Sequence, residues 1–365
     1  MKRMKLCQSV GRALKRYSHQ SVIRLVLASA IVLVVCFPLY WTYLERLSMA
    51  SGYANPWIAI RAKSVALADR QWTEPNVDWE SVTFNNVLTF ATLLALVGVA
   101  EEGLRRRERF IVNFMVLMTL LYSILMASSA GAAYILGAVL GIKSVKKGQV
   151  RAVIAALTLV GFVLLFVIVA VVLGKGRTNP SASLSENIAP AVEIVEWYTL
   201  GGVVAFDRVV QNPSGMRSSW SISRFFLLTA NKLGASFEVP SLHAEYTMIS
   251  PSMKTNVYTM YFSYFQDYGW PGIVVLPYVL GYALTWTYRK ARSGSRGALV
   301  LYGLTFSGIL VSGFSEVFFL ALNTLLKAIV VVWLVFSLPA WWRWNRSLNR
   351  TPLNGSRVPP LPAAY

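Results

Sequence analysis

Apolar runs near the roughly 20 residues that cross a hydrocarbon core recur along this 365-residue chain. They cover 25–43, 86–100, 110–127, 129–142, 152–173, 271–288, 298–315 and 318–340. A helix satisfies its own backbone hydrogen bonds in lipid, so these runs predict an all-α polytopic membrane protein of about eight transmembrane helices. The run at 129–142 is thin, and a partly re-entrant path is the alternative there. Run 25–43 follows a basic tail, is longer than a signal-peptide core and has no small-residue cleavage site after it, so it reads as a retained anchor.

Two long polar stretches interrupt this pattern, 45–85 and 175–255. The second holds much of the chemistry outside the helices: Arg177, Asp207, Arg208, Arg217, Arg224, His243, Glu245 and Lys254. Asn179-Pro180 and the serines up to Ser185 read as a linker. Helical periodicity follows from Ala189-Pro190 to Val210, with Gly201-Gly202 expected to interrupt it. A second amphipathic stretch, Ser221 to Leu233, is suited to the membrane interface. Pro240 to Glu245 reads as a loop.

Charge orients the pattern. Arg105-Arg106-Arg107, Lys143 with Lys146-Lys147, Arg289-Lys290 with Arg292, and Arg343 with Arg346 follow the second, fourth, sixth and eighth runs. Basic connectors stay inside, so the N- and C-termini are expected in the cytoplasm and both long polar stretches outside. The organisation expected is a basic tail over 1–24, helices 1–5 within 25–174 with the external segment 45–85, a large helical external loop over 175–255, helices 6–8 within 256–342, and a Pro-rich disordered tail over 343–365. Trp341-Trp342-Arg343-Trp344 reads as an aromatic and basic belt at the inner headgroups.

Composition narrows the class. Hydrophobic residues make up 55% of the chain and charged residues 14%, against about 25% charged in soluble domains. The formal charge of +19 is spread in short bunches between apolar runs, which argues against nucleic acid as a partner. Cys7 and Cys36 form no disulfide framework, and His19 and His243 alone make no histidine metal site, so no metal is expected.

The stretch closing the external loop is polar and aromatic together: Thr255-Asn256-Val257-Tyr258-Thr259, then Tyr261 to Asp267, Gly269 and Gly272. Pro271 suits the first turn of the sixth span, which puts Asp267 at the external mouth of that helix, where a carboxylate is favoured. This stretch resembles the hallmark of bacterial oligosaccharide repeat-unit polymerases, the O-antigen polymerases of the Wzy type, in which an N-x-Y-T and a D-x-G-x-x-G pattern open a transmembrane helix after an external loop. Tyr198 to Asp207, with Gly201-Gly202 and Ala205-Phe206-Asp207, is similar to a second stretch of that family. The resemblance is best from about Leu173 to Leu320. Many members have ten or more spans, and many carry an arginine that Ser128-Ser129-Ala130-Gly131-Ala132 lacks.

The resemblance implies location in the bacterial inner membrane and a substrate, a repeat-unit oligosaccharide on undecaprenyl diphosphate. Diphosphate is itself a leaving group, so no cofactor is implied. Arg208, Arg217 and Arg224, with Lys254 behind them, are the candidates for the diphosphate. Asp267, His243 and Glu245 are the candidate bases for the acceptor hydroxyl. Asn256 and Tyr258 are the candidates for orienting sugar hydroxyls. Solvated loop charge, a surface histidine and local capping are the plain alternatives for these residues. Lys327 stands inside the eighth run, where a charge costs about 2.5–3.5 kcal/mol on insertion scales. Helical spacing predicts one face shared by Glu316, Asn323 and Lys327, either lining the diphosphate cavity or snorkelling outward. Partners expected are the lipid-linked oligosaccharide and membrane lipids, with room for a chain-length regulator protein. The rival readings are an O-antigen ligase, which often shows His-Asn where this chain has Thr255-Asn256, a transporter or flippase of the same lipid-linked sugar, and an export-complex scaffold.

Overall fold

The computed structural model describes residues 2–52, 79–126, 129–148, 183–211, 221–239, 247–250, 253–255, 258–313, 316–319 and 322–336, together with isolated positions between them. The described chain is nearly all helical. In order it forms α1 (Lys2–Ser51), α2 (Trp79–Ala100), α3 (Arg106–Leu125), α4 (Ser129–Lys147), α5 (Leu184–Gln211), a 3-10 turn (Ser221–Ser223), α6 (Arg224–Lys232), a short antiparallel pair β1 (Thr247–Ser250) and β2 (Met253–Thr255), α7 (Met260–Arg292), α8 (Arg296–Val311) and α9 (Leu322–Phe336). The strand pair is a small departure from an all-α reading.

Among the described residues, three helical stretches are long and apolar enough to cross a membrane: His19–Ala50, Val82–Ala100 and Arg106–Leu125. Arg296–Val311 and Leu322–Phe336 are shorter apolar helices. These helices are compatible with a membrane protein. Most of the apolar run 152–173, the Pro-rich tail and most of 45–85 lie outside the described residues.

The larger core cluster is drawn from α1, α2, α3, α4, α8 and α9, with Ala291 from the end of α7. On α1, Val22, Val26, Leu33, Tyr40 and Leu44 are buried, whereas Ile31, Val35 and Leu39 on the other side are exposed. A helix apolar on every side has no aqueous face, which is the pattern of a lipid-exposed segment. The Tyr122 hydroxyl of α3 donates to the Leu33 carbonyl at 2.6 Å and ties α3 to α1. Between α4 and α8, side-chain volume decides the approach. Gly137 and Gly141 on α4 face Ser307 and Phe306, and a Cβ on Gly303 of α8 would sit 2.8 Å from the Ala138 carbonyl. Small residues four apart on both helices permit the backbone contact that stabilises helix pairs in lipid.

One end of this bundle is closed by charge. Glu101, 2% exposed, accepts a hydrogen bond from Arg296 Nη1 at 2.6 Å and lies 3.1 Å from His19 Nδ1. His19 Nε2 is 3.2 Å from Glu108, which also accepts from the Arg105 amide. Lys146 Nζ donates to the Val99 and Glu101 carbonyls at the end of α2. The Arg296 guanidinium also stands 5.2 Å over the Phe336 ring. His19 of α1, the end of α2, the start of α3, the end of α4, the start of α8 and the end of α9 therefore converge. At the other end, Arg46 of α1 meets Glu80 of α2 at 2.9 Å, and the Ser312 carbonyl beyond α8 accepts from the Met260 amide at 2.8 Å.

Three local expectations change. Helix α5 runs unbroken through Gly201 and Gly202, both of which are buried. Helix α7 begins at Met260 rather than near Pro271, and its break falls at Gly269. Glu316 shares no helix face with Asn323 and Lys327. It lies in the turn before α9 and bonds the amides of Phe318 and Phe319, and a residue so engaged cannot continue the helix backwards.

Candidate functional site

The site is built on the first half of α7, Met260 to Tyr268. Thr259 is extended, with φ −64° and ψ 161°, and opens the helix. Its hydroxyl oxygen is buried and has no hydrogen-bond partner among the described residues. The half-helix stops at Gly269, whose φ of 63° favours glycine, and Pro271 then starts the second half. Gly272 packs directly on the Tyr264 carbonyl, which leaves no space for a Cβ. Both glycines of the Asp-x-Gly-x-x-Gly stretch thus have a physical reason. Gly269 breaks the helix, and Gly272 lets the two halves close.

Asp267 ties the half-helix to its neighbour. Its Oδ2 accepts from the Ile222 amide at 2.8 Å, in the 3-10 turn that leads into α6. Two residues beyond Ile222 stands Arg224, only 9% exposed at the start of α6. Burial holds its guanidinium below the ordinary arginine range. An arginine remains cationic even so. A fixed carboxylate and a buried cation therefore lie on adjoining segments.

Aromatic packing brings α5 to the same place. Tyr258, 5% exposed, stacks on Phe262 with ring centroids 3.8 Å apart. Both pack with Ala205, and with Phe206 and Val209 at the edge. Phe206 meets Phe265 edge-on at 5.9 Å, and Phe265 meets Trp270 at 5.2 Å. The two sequence stretches singled out above, some fifty residues apart, fold against each other.

Of the residues named from sequence, Asp267, Tyr258 and Arg224 are brought together around this half-helix. Arg208 is exposed on α5, next to Val209 of the packed face, and Asp207 beside it accepts from Gln211 at 2.8 Å. Lys254 stands on β2 opposite Met248. Lys327 Nζ donates to Asn86 Oδ1 of α2 at 2.8 Å, a link within the bundle. Arg217, His243, Glu245 and Asn256 lie outside the described residues. Sequence reasoning missed Tyr264, fully buried on α7, whose hydroxyl donates to Glu316 at 3.2 Å. The signal was weak, one tyrosine in an aromatic run and one acid in an apolar one. The described residues contain no group of histidines, cysteines and carboxylates able to hold a metal ion.

Chemically, the arrangement offers a carboxylate for a proton, a cation for an anionic group and aromatic faces nearby. No protein-family model matches the chain, and no curated protein or solved structure matches it.

Proposed function

We propose that this chain polymerises oligosaccharide repeat units carried on undecaprenyl diphosphate, at the periplasmic face of the bacterial inner membrane. The observation that carries the reading is the meeting of the two motif stretches: Asp267 holds the turn before the buried Arg224, while Ala205 and Phe206 pack on Tyr258, Phe262 and Phe265.

The reading takes the chain as having eight spans with both termini in the cytoplasm. Its support is the gathering of the basic connectors at one bundle end. Helix α8 has 16 residues, about 24 Å at 1.5 Å per residue, and it separates that end from the start of α7. The candidate site then faces the periplasm, where lipid-linked glycans are extended.

In the reaction, the bond between the anomeric carbon of the growing chain and its diphosphate oxygen breaks. The electron pair leaves with undecaprenyl diphosphate, and a glycosidic bond forms to a hydroxyl of the second lipid-linked unit. Asp267 takes the hydroxyl proton. Arg224, with Arg208, Arg217 and Lys254, neutralises the charge growing on the diphosphate. His243 and Glu245 are the alternative bases, Asn256 and Tyr258 orient the sugar, and Lys327 lines the lipid diphosphate path. Anchoring both lipids in one membrane makes the encounter a matter of proximity.

Complementation tests the reading. A strain lacking its own repeat-unit polymerase receives this chain with the matching glycan pathway, and its lipopolysaccharide is run on a gel. A ladder that collapses to single repeats in Asp267→Ala supports the reading. A well-expressed wild type that leaves single repeats on the core rejects it, and restored attachment in a ligase-deficient strain replaces it with the ligase.

A further inference from the structure

Glu316 is 2% exposed in the turn between two apolar helices. A carboxylate so buried is tolerated where fixed donors meet its lone pairs. The Phe318 amide donates to Oε1 at 2.8 Å, and the Phe319 amide is 3.0 Å from both oxygens. These bonds shape the turn itself. The Tyr264 hydroxyl at 3.2 Å comes from α7, three residues before Asp267. The Tyr264 ring meets Phe319 edge-on at 6.2 Å, and its carbonyl supports Gly272 beyond the break.

The half-helix is therefore held from two sides. The turn after α8 holds it through Glu316–Tyr264 and through the Ser312 carbonyl. Helix α5 and the 3-10 turn hold it through Phe265 and Asp267. A shift of Tyr264 must move Asp267, one turn away on the same short helix.

We propose that Glu316 is a positioning residue which, through Tyr264, sets where Asp267 meets the turn leading to Arg224. Its effect on rate rests on the polymerase reading, and its effect on geometry does not.

The test uses the purified full chain and its Tyr264→Phe, Glu316→Ala and Glu316→Gln variants, each checked for melting temperature. Two quantities are read: hydrogen exchange at the Ile222 amide, and the kinetics of polymer formation from lipid-diphosphate-linked repeat units. Tyr264→Phe removes one hydroxyl from the pair, so it reads the link even where Glu316→Ala unfolds. The expected result is faster Ile222 exchange in Tyr264→Phe and Glu316→Ala. A misplacement of this kind lowers kcat by up to about 100-fold, with KM for the lipid-linked unit held within about twofold because Asp267 and Arg224 act on the proton and charge of the transition state. Glu316→Gln, which keeps one acceptor oxygen, regains most of the rate. Unchanged Ile222 exchange in folded Tyr264→Phe overturns the proposal, as does activity that falls only in proportion to the folded fraction. A wild type without polymerisation rejects the polymerase reading alone, and the exchange data still decide the positioning role.

Discussion

Glu101 and Glu316 are equally buried, 2% exposed each, and stand at opposite ends of the helix bundle. Glu101 is met by Arg296 and His19 from two separate helices, and its own carbonyl is held by Lys146 from a third. Glu316 takes described bonds from the two amides that follow it and from one tyrosine. Partners on three further helices make a clamp, since this one residue ties α1, α4 and α8 to the end of α2. The described partners of Glu316 include two amides of its own turn and a side chain of the site's half-helix, so a change there acts directly on that half-helix. The same chemical group thus serves assembly at one end and adjustment at the other.

Variants at the two ends should separate on this basis. The largest effect is expected at Asp267. Asp267→Ala lowers polymer formation by about 10²–10⁴-fold, the usual contribution of a positioned base. Asp267→Asn keeps an acceptor for the Ile222 amide, so its exchange at Ile222 stays slow while its rate falls as far. A rate retained in the Asn variant would reduce Asp267 to a structural tie.

The clamp end should show the reverse pattern. Arg296→Met leaves a buried carboxylate short of its closest cation, 2.6 Å away. Breaking a buried pair costs about 3–5 kcal/mol, read as a lower melting temperature in detergent with polymer formed per folded molecule unchanged. Rate lost in the surviving folded fraction would mean that the ends are not independent. A smaller effect is expected from Gly303→Ala, where the added Cβ presses on Ala138 and Ile142 and overpacking costs about 1–3 kcal/mol. Its check is the same melting curve.

Lys327→Met should have the smallest effect. It removes a cation bonded to Asn86, and losing one charged contact to a diphosphate corresponds to roughly a tenfold drop in polymer yield. Normal polymer length and yield in that variant would assign Lys327 to the bundle alone.

The apolar periodicity and basic exits made the helices legible in the sequence, because lipid leaves few alternatives to a helix and few places for lysine and arginine. Asp267 was singled out by the resemblance of its Asp-x-Gly-x-x-Gly stretch. Its partner was not, since Ile222 contributes only a backbone amide, which any residue supplies. The starting point of α7 was misjudged because Pro271 marks the first turn of a second half rather than of the whole helix. Gly201-Gly202 looked like a break because glycine lowers helix propensity, yet the 28-residue helix continues through both and carries that cost of about 1 kcal/mol per residue. Glu316 was misplaced for a related reason: helical spacing was extended across a turn that the carboxylate itself creates. Neither the Glu101 clamp nor the α4–α8 glycine contact is local in sequence, and both appear only once the helices are assembled.

The central claim is that this chain joins lipid-linked repeat units. Its most direct measurement is reconstitution of the purified chain in lipid vesicles with undecaprenyl-diphosphate-linked repeat units, following polymer length and released undecaprenyl diphosphate together. The account predicts one lipid diphosphate released for each repeat added, with both lost in Asp267→Ala. Folded protein that binds the units yet releases no lipid diphosphate and forms no polymer would contradict it.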